Sequence, residues 1–361
     1  MEYIGMDVHK RYCYATVMDE DGVVLRREKF ASTIEGIHDF LNSIEDEAVF
    51  VIESVGFWEY IYEEICNAGY EVKLCHPRKV RVIAEARIKT DKVDSEILAH
   101  LLRTDLLPES YVPPKRIRDL RRLVRHRVFL KRKSTSIKNR IHSEILRRGI
   151  VSPYNNIFTK KGRIYLESLE IPMIDQLLKI LKDIEKEIDI LNELLLEYYS
   201  EMPDAQLLTT IPGIGFYSAL VIISEIGDIH RFPSPEKLCA YSGLIPSTHQ
   251  SGGIEMHGHI TKEGSRHLRW ILTEAIHVHK RIDPDSIISR FYHRIERKKG
   301  KGRAVIAASR KLLTVIYWML MFHEPFHSQG FNPECLSAHN SASMRLGRNS
   351  LTDGEVNHSA G

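Results

Sequence analysis

Two long periodic segments follow one another between residues 115 and 198, and a chain containing both must fold around long helices. The first, "KRIRDLRRLVRHRVFLKRKSTSIKNRIHSEILRR" (115–148), places Ile117, Leu120, Val124, Val128, Ile137, Ile141 and Ile145 at near-helical spacing. Around that stripe stand fourteen Lys or Arg and only two acids, Asp119 and Glu144. A solvated helix face usually mixes its signs, so one or two basic helices with a nucleic-acid face are expected, with Arg121, Arg125, Lys131 and Arg132 as contacts. The second segment, "MIDQLLKILKDIEKEIDILNELLLEYY", spaces Ile174, Leu177, Leu181, Ile184, Ile188, Leu191, Leu195 and Tyr198 three and four apart. That is a coiled-coil seam. It can pack on the preceding helices of its own chain or pair two chains; a homodimer or tetramer is the expectation.

Residues 1–110 read as an α/β domain. "YIGMDV", "YCYATVMD" and "VVLRREKF" are hairpin-linked strands, and "AVFVIES" and "YEVKLCHP" alternate with helical segments. A mixed sheet covered by helices follows, for which the ribonuclease-H-like order is one fit among several α/β folds. Residues 111–203 hold the basic helices and the coiled coil, and 204–326 form a mainly helical domain. The stretch 327–361 has no periodicity and reads as a disordered tail. The net charge of +3 does not by itself announce a nucleic-acid partner. Five cysteines without a CxxC pair argue for reduced thiols in a cytoplasm. No stretch is expected to reach the ~20 apolar residues of a membrane span, and the N-terminus lacks the pattern of a signal peptide.

Four acids stand apart. Asp7 lies near the end of the first strand, Glu53 ends an apolar strand, and Asp91 and Asp94 open the helix of "TDKVDSEILAHLL". Acids in a first helical turn are ordinary caps, and Lys89 or Lys92 could neutralise them without any metal. Carboxylates at the ends of buried strands are costly unless paired or bound to a cation, however, and residues three apart share a helix face. Hard oxygen donors suit Mg²⁺ or Mn²⁺, and two such ions ~4 Å apart can clamp both oxygens of a phosphodiester exchange.

Further on, Gly213 and Gly215 in "IPGIG" permit a tight turn between apolar helices. That is a helix-hairpin-helix arrangement whose backbone N–H groups grip a DNA phosphate. Ser251 of "QSGG" precedes two glycines that would expose its hydroxyl, with Ser242 and Ser247 nearby. A helix starting near Ser265 brings Arg266 and Arg269 as phosphate ligands; His257, His259 and His267 are separate candidates for bases or phosphate contacts.

Together "YIGMDVHK", "VIES" and "TDKVDSEILA" resemble the N-terminal domain of DEDD-type insertion-sequence transposases, to which the Piv-type DNA invertases are related. "TIPGIG", "KLCAYSGLIPSTHQSGG" and "HGHITKEGSRHLRWIL" resemble the second domain of that family. The resemblance implies a RuvC-like domain holding Mg²⁺ through Asp7, Glu53, Asp91 and Asp94, and a serine nucleophile best matched by Ser251. It also implies site-specific DNA recombination through a phosphoserine link, with a structured bridge RNA as partner. Two alternatives remain open: a RuvC-like nuclease using metal-activated water, and a non-catalytic nucleic-acid-binding protein.

Overall fold

The computed structural model describes residues 1–45, 47–83, 90–251 and 254–330; the side chains of 248–251, 254–257 and 259 lie outside that description. The chain divides into two compact units, Met1–Val112 and Pro113–Gly361.

The first unit runs β1 (Glu2–Val8), β2 (Tyr12–Met18), β3 (Val24–Ala31), α1 (Ile34–Asn42), β4 (Ala48–Glu53), α2 (Trp58–Asn67), β5 (Glu71–Cys75), α3 (Pro77–Ile83) and α4 (Asp91–Arg103). The strands form one five-stranded sheet in the order β3-β2-β1-β4-β5. β1–β2 and β2–β3 pair antiparallel, while β1–β4 and β4–β5 pair parallel. Strand alternation sorts the side chains onto two faces. Ile4, Met6, Val8, Phe50 and Ile52 join Ile37, Phe40, Ile61 and Ile65 of α1 and α2 in one core. The opposite face carries Val51, which packs with Leu98, Leu101 and Leu102 of α4. Beyond α4 the chain returns along the free edge of β5, where Ser110 N donates to Leu74 O at 2.6 Å and covers an edge that would otherwise invite strand pairing.

Asp7 lies on the α4 face, and so does Gly5, two residues earlier. A Cβ on Gly5 would overlap the Ser95 carbonyl oxygen and lie 2.5 Å from Ala99 N, so α4 rests directly on the bare backbone of β1. A buried hydrogen bond of 2.7 Å between the Thr16 and Ser95 hydroxyls pins the same turn of α4 to β2. Thr90 caps α4, its hydroxyl accepting from Val93 N. The central strands and the start of α4 are thereby held in one register.

The second unit opens with α5 (Lys115–Arg147), a single helix of 33 residues and so about 50 Å long. It is followed by α6 (Lys160–Ser168) and α7 (Pro172–Ser200). α7 packs antiparallel on α5: Leu191 and Leu195 share a core with Leu120 and Val124, while Ile174 and Leu178 meet Ile141 and Ile145. The heptad seam is thus occupied within the chain. Where α5 lacks an apolar residue at mid-length, buried Ser134 takes its place and lets the helices approach. Then come α8 (Pro203–Leu208), α9 (Phe216–Ile226), α10 (Pro235–Ser242), the hairpin β6 (Pro246–Ser251) and β7 (Ile254–Ile260), α11 (Arg266–Ile282), α12 (Ile287–Lys299) and α13 (Lys301–Phe322). The segment expected as a linker, 111–203, shares one core with this helical region.

Two expectations change. α13 is long and apolar enough to cross a membrane by length and composition, contrary to the reading that no segment approached this. It lies at the centre of the core, with Ala308, Leu312, Ile316 and Met319 fully buried. At the start of the expected tail, residues 327–330 are fastened to α12, for Ile287 N donates to Ser328 O at 2.8 Å. The rest of the tail, 331–361, lies outside the described residues.

Candidate metal centre and nucleic-acid interface

Because Gly5 admits α4, the first turn of that helix stands over the end of β1. Asp7 and Asp91 converge there with His9, which is not among the four expected acids. His9 Nε2 lies 3.1 Å from Asp7 Oδ2 and 3.2 Å from Asp91 Oδ1. One ligand atom from each of Asp7, His9 and Asp91 falls within 4.8 Å of the other two. Tyr12, first in β2 and on the same face, donates its hydroxyl to Asp91 Oδ2 at 2.9 Å. The His9 and Tyr12 rings are 4.6 Å apart, and Lys29 Nζ sits 3.7 Å from the Tyr12 ring centre. Of these additions His9 was the more legible, lying two residues past Asp7. Tyr12 joins only through the hairpin.

Asp7 is largely enclosed. Burial raises its carboxyl above the ordinary value, the charges of Asp91 and Asp94 push the same way, and His9 pulls against them. Burial also works to raise Asp91, but the Tyr12 hydrogen bond and His9 outweigh it and hold Asp91 low. Two carboxylates on one spot, one of them destabilised by desolvation, form an arrangement that a hard cation relieves. Asp94 is near enough to perturb Asp7. Glu53 ends β4; the last register pair is Met6↔Ile52, so Glu53 follows on the strand beside Asp7, at a strand spacing of ~4.8 Å. Neither Asp94 nor Glu53 belongs to the tight three-residue group among the described residues. The donors fit Mg²⁺ or Mn²⁺, and the His9 nitrogen is one that Mn²⁺ accepts more readily.

In the second unit several expected phosphate ligands are engaged elsewhere. Arg121 Nε donates to Ser224 O at 2.7 Å. Arg125 makes a two-pronged pair with Glu225, both bonds 2.8 Å, and Glu225 is only 1% exposed. Arg269 Nη1 donates to the carbonyls of Ser242 and Gly264. These three arginines therefore fasten α5 to α9 and the loop before α11 to α10. Lys131, Arg132 and Arg266 are exposed, and form no ion pair among the described residues. His267 is 8% exposed and drawn below its ordinary value, first by burial, so it is a core residue.

Residues 209–215 connect α8 to α9, and the two glycines of this connection differ. Gly213, at φ +94°, has its open side against α11, where a Cβ would meet His279 N at 2.8 Å. Packing accounts for it. Gly215 caps α9 with open space around it, which leaves a helix N-terminus accessible to an anion. Among the serines, Ser242 is fully buried and donates to Cys239 O at 2.8 Å, which removes it as a nucleophile. Ser251 ends β6 opposite Ile254. Its side chain lies outside the described residues, as do Gly252, Gly253 and the side chains of His257 and His259.

The Glu225 pair gives a stability prediction. Burial works to raise the Glu225 carboxyl, and Arg125, Ser265 and Arg121 together overcome it, leaving Glu225 below the ordinary value. Arg125→Ala strands that charge and should cost about 3 kcal/mol or more in a urea titration at neutral pH. Because the folded-state pKa is depressed, the contribution is complete above the ordinary carboxylate range and is lost as pH falls through the depressed value. The gap between wild type and variant should therefore narrow in acid.

A family model described as "Transposase IS116/IS110/IS902 family" matches residues 205–293, and a DEDD-type IS110 transposase model matches residues 4–148. The chain is 30% identical over 283 residues to the pilin gene-inverting protein of Moraxella lacunata, covering 76% of this chain and 81% of that one. It is 23% identical over 352 residues to the transposase for insertion sequence element IS1111A of Coxiella burnetii, covering 90% and 91%. It is 27% identical to the transposase for IS1328 of Yersinia enterocolitica, covering 76% and 83%. By these matches over both of its units, this chain belongs to the IS110/IS116/IS902 transposase family.

Proposed function

We propose that the protein is an insertion-sequence transposase acting as a site-specific recombinase, which cleaves and rejoins DNA through a phosphoserine intermediate. The observation that supports this best is the convergence of Asp7 and Asp91 under an α4 that Gly5 allows onto the sheet. The sheet order, with three antiparallel strands followed by two parallel ones, fits a RuvC-like domain. In this reading Asp7, Glu53, Asp91 and Asp94 hold Mg²⁺ or Mn²⁺. A divalent ion bound there supplies Lewis-acid stabilisation of charge developing on phosphate oxygens.

The serine works from the hairpin. Ser251 Oγ loses its proton and attacks phosphorus; the P–O bond to one DNA strand end breaks, and that oxygen leaves with a proton. The phosphoserine link stores the bond energy until a second strand's hydroxyl displaces the serine. Tyr12 and His9 hold Asp91 and Asp7 in place, and Lys131, Arg132 and Arg266 meet phosphates on either side.

The acids and Ser251 belong to different units, and we infer that one chain's serine completes another chain's acids. The heptad seam being filled by α5, self-association to a dimer or tetramer would use the outer row of α7, where Met173, Ile180, Ile190 and Leu194 are exposed. A bridge RNA is the remaining partner, and the reaction takes place in the cytoplasm on chromosomal DNA. A water-using nuclease is the second reading, favoured by one observation: the acid group lies wholly in the first unit.

The test is a plasmid bearing the element with its flanking DNA, scored by amplifying recombined junctions in cells. Wild type should give junctions, while Ser251→Ala and Asp91→Asn should each give none. The two variants expressed together should restore part of the signal. Junctions from Ser251→Ala at the wild-type level would overturn the serine link, and cleaved DNA without junctions in wild type would favour the nuclease reading.

A further inference from the structure

A cavity of about 690 Å³ opens between α12, α13 and the base of the β6–β7 hairpin. Leu244, Ile260 and Ile306 give it an apolar floor, Arg303, Arg310 and Lys311 stand around it, and no acid lines it among the described residues. A smaller cleft sharing Phe291 and Lys311 adds Arg294. The Arg294 guanidinium lies 5.1 Å and the Lys311 ammonium 5.5 Å from the centre of the Phe291 ring. Among the described residues none of Arg294, Arg303, Arg310 and Lys311 forms a salt bridge. Burial, and then the nearby Arg294, draw Lys311 below its ordinary value.

Like charges gathered without counter-charges are self-repelling, so an arrangement of this kind is completed by an anion. A lone small anion would not need the apolar floor or the aromatic ring. The volume is that of an ordinary ligand site. The ligand that offers both spaced anions and a flat apolar face is an unpaired nucleic-acid strand, because a duplex hides its base faces in the stack. We propose that this groove binds an unpaired stretch of nucleic-acid strand, its phosphates on Arg294, Arg303, Arg310 and Lys311 and one base against Phe291. Pro246 and Ile260, at the groove's edge, begin and end the hairpin whose far end is Ser251. A strand held there is anchored about 17 Å of extended backbone from that tip. The inference rests on nucleic acid being the substrate, and is independent of the serine and the acids.

The test uses the full chain in EDTA with a labelled 20-nucleotide DNA strand, the same sequence as RNA, and the DNA duplex, read by fluorescence anisotropy across a salt series. Phe291→Leu should weaken single-strand binding about tenfold, the loss expected for one stacked base, with its salt slope unchanged. Arg294→Gln combined with Lys311→Gln should weaken it and flatten the slope by about 1.4, at ~0.7 per phosphate. Duplex binding, through the α5 face, should be unchanged in both, which also reports that the variants fold. Whichever sugar shows the larger loss names the strand the groove takes. Unchanged single-strand affinity in both variants, equal losses on duplex and single strand, or a wild type that binds no single strand would each overturn the groove. Because the assay needs neither metal nor Ser251, these outcomes are independent of the junction assay.

Discussion

Asp7→Asn should abolish DNA cleavage while leaving the protein at least as stable as wild type. Asparagine keeps the shape of the side chain and removes one anionic donor from the Asp7–His9–Asp91 group. Lewis-acid stabilisation supplies several kcal/mol to a transition state, and 1.36 kcal/mol is tenfold in rate, so a loss of about a thousandfold or more is expected. The stability half has the opposite sign from an ordinary ion pair. Asp7 has its pKa raised, first by burial and then by Asp91 and Asp94. Its protonated form is therefore favoured by folding, and that contribution is lost as pH rises through the raised value. Without metal, wild type should lose stability over that window, and Asp7→Asn should lose less. Added Mg²⁺ or Mn²⁺ should raise the melting temperature of wild type and leave the variant unmoved. A variant that melts well below wild type and still responds to the ion would mean that Asp7 is a structural anchor.

Gly5→Ala should damage the fold and the site together. The added methyl would overlap the Ser95 carbonyl and lie 2.5 Å from Ala99 N and 3.0 Å from Leu98 Cβ. Two of those neighbours are backbone atoms of a helix pinned through Ser95 to Thr16, so neither side can yield cheaply. Overpacking of this kind costs about 3 kcal/mol at the upper end of the usual range, or roughly 10–20 °C in the melting of a domain near 100 residues. If α4 moves away, Asp91 and Asp94 leave Asp7, and ion-induced stabilisation should fall with the melting temperature. Ser95→Ala loses the hydroxyl pair without forcing the helix off the strand, and should cost much less. A Gly5→Ala protein as stable as wild type would show that α4 is not held in close contact with β1.

The contrast between these substitutions marks what the sequence makes legible. An acid at the end of an apolar strand is costly enough to stand out from residue type and position alone. Two acids in a helical first turn are ordinary caps, and stand out only together with the strand acids. Gly5 looks like any strand glycine until the helix that crosses it, some ninety residues later, is in place. The arginines show the same limit in another form. A run of cations predicts a cationic helix, and α5 is one, but Arg125 meets its partner Glu225 only through tertiary packing. Lys131 and Arg132, on the same helix, remain exposed. The heptad seam of α7 was legible in its main positions, with Leu178 buried rather than Leu177, yet periodicity does not say which helix fills it, and here α5 does. The groove beside Phe291 left no linear signal, because its cations come from two helices that each look like ordinary charged surface.

The central claim is that Ser251 carries the DNA between cleavage and rejoining. The measurement that tests it most directly is covalent trapping. The protein, expressed together with the DNA that flanks its gene, is incubated with labelled element-end DNA and Mg²⁺, denatured, and digested for mass spectrometry of the DNA-linked peptide. The account predicts a phosphoserine adduct on the peptide containing Ser251, absent from Ser251→Ala and from Asp7→Asn. Cleaved DNA with free ends and no linked peptide would contradict it, and would assign the chemistry to water at the acids.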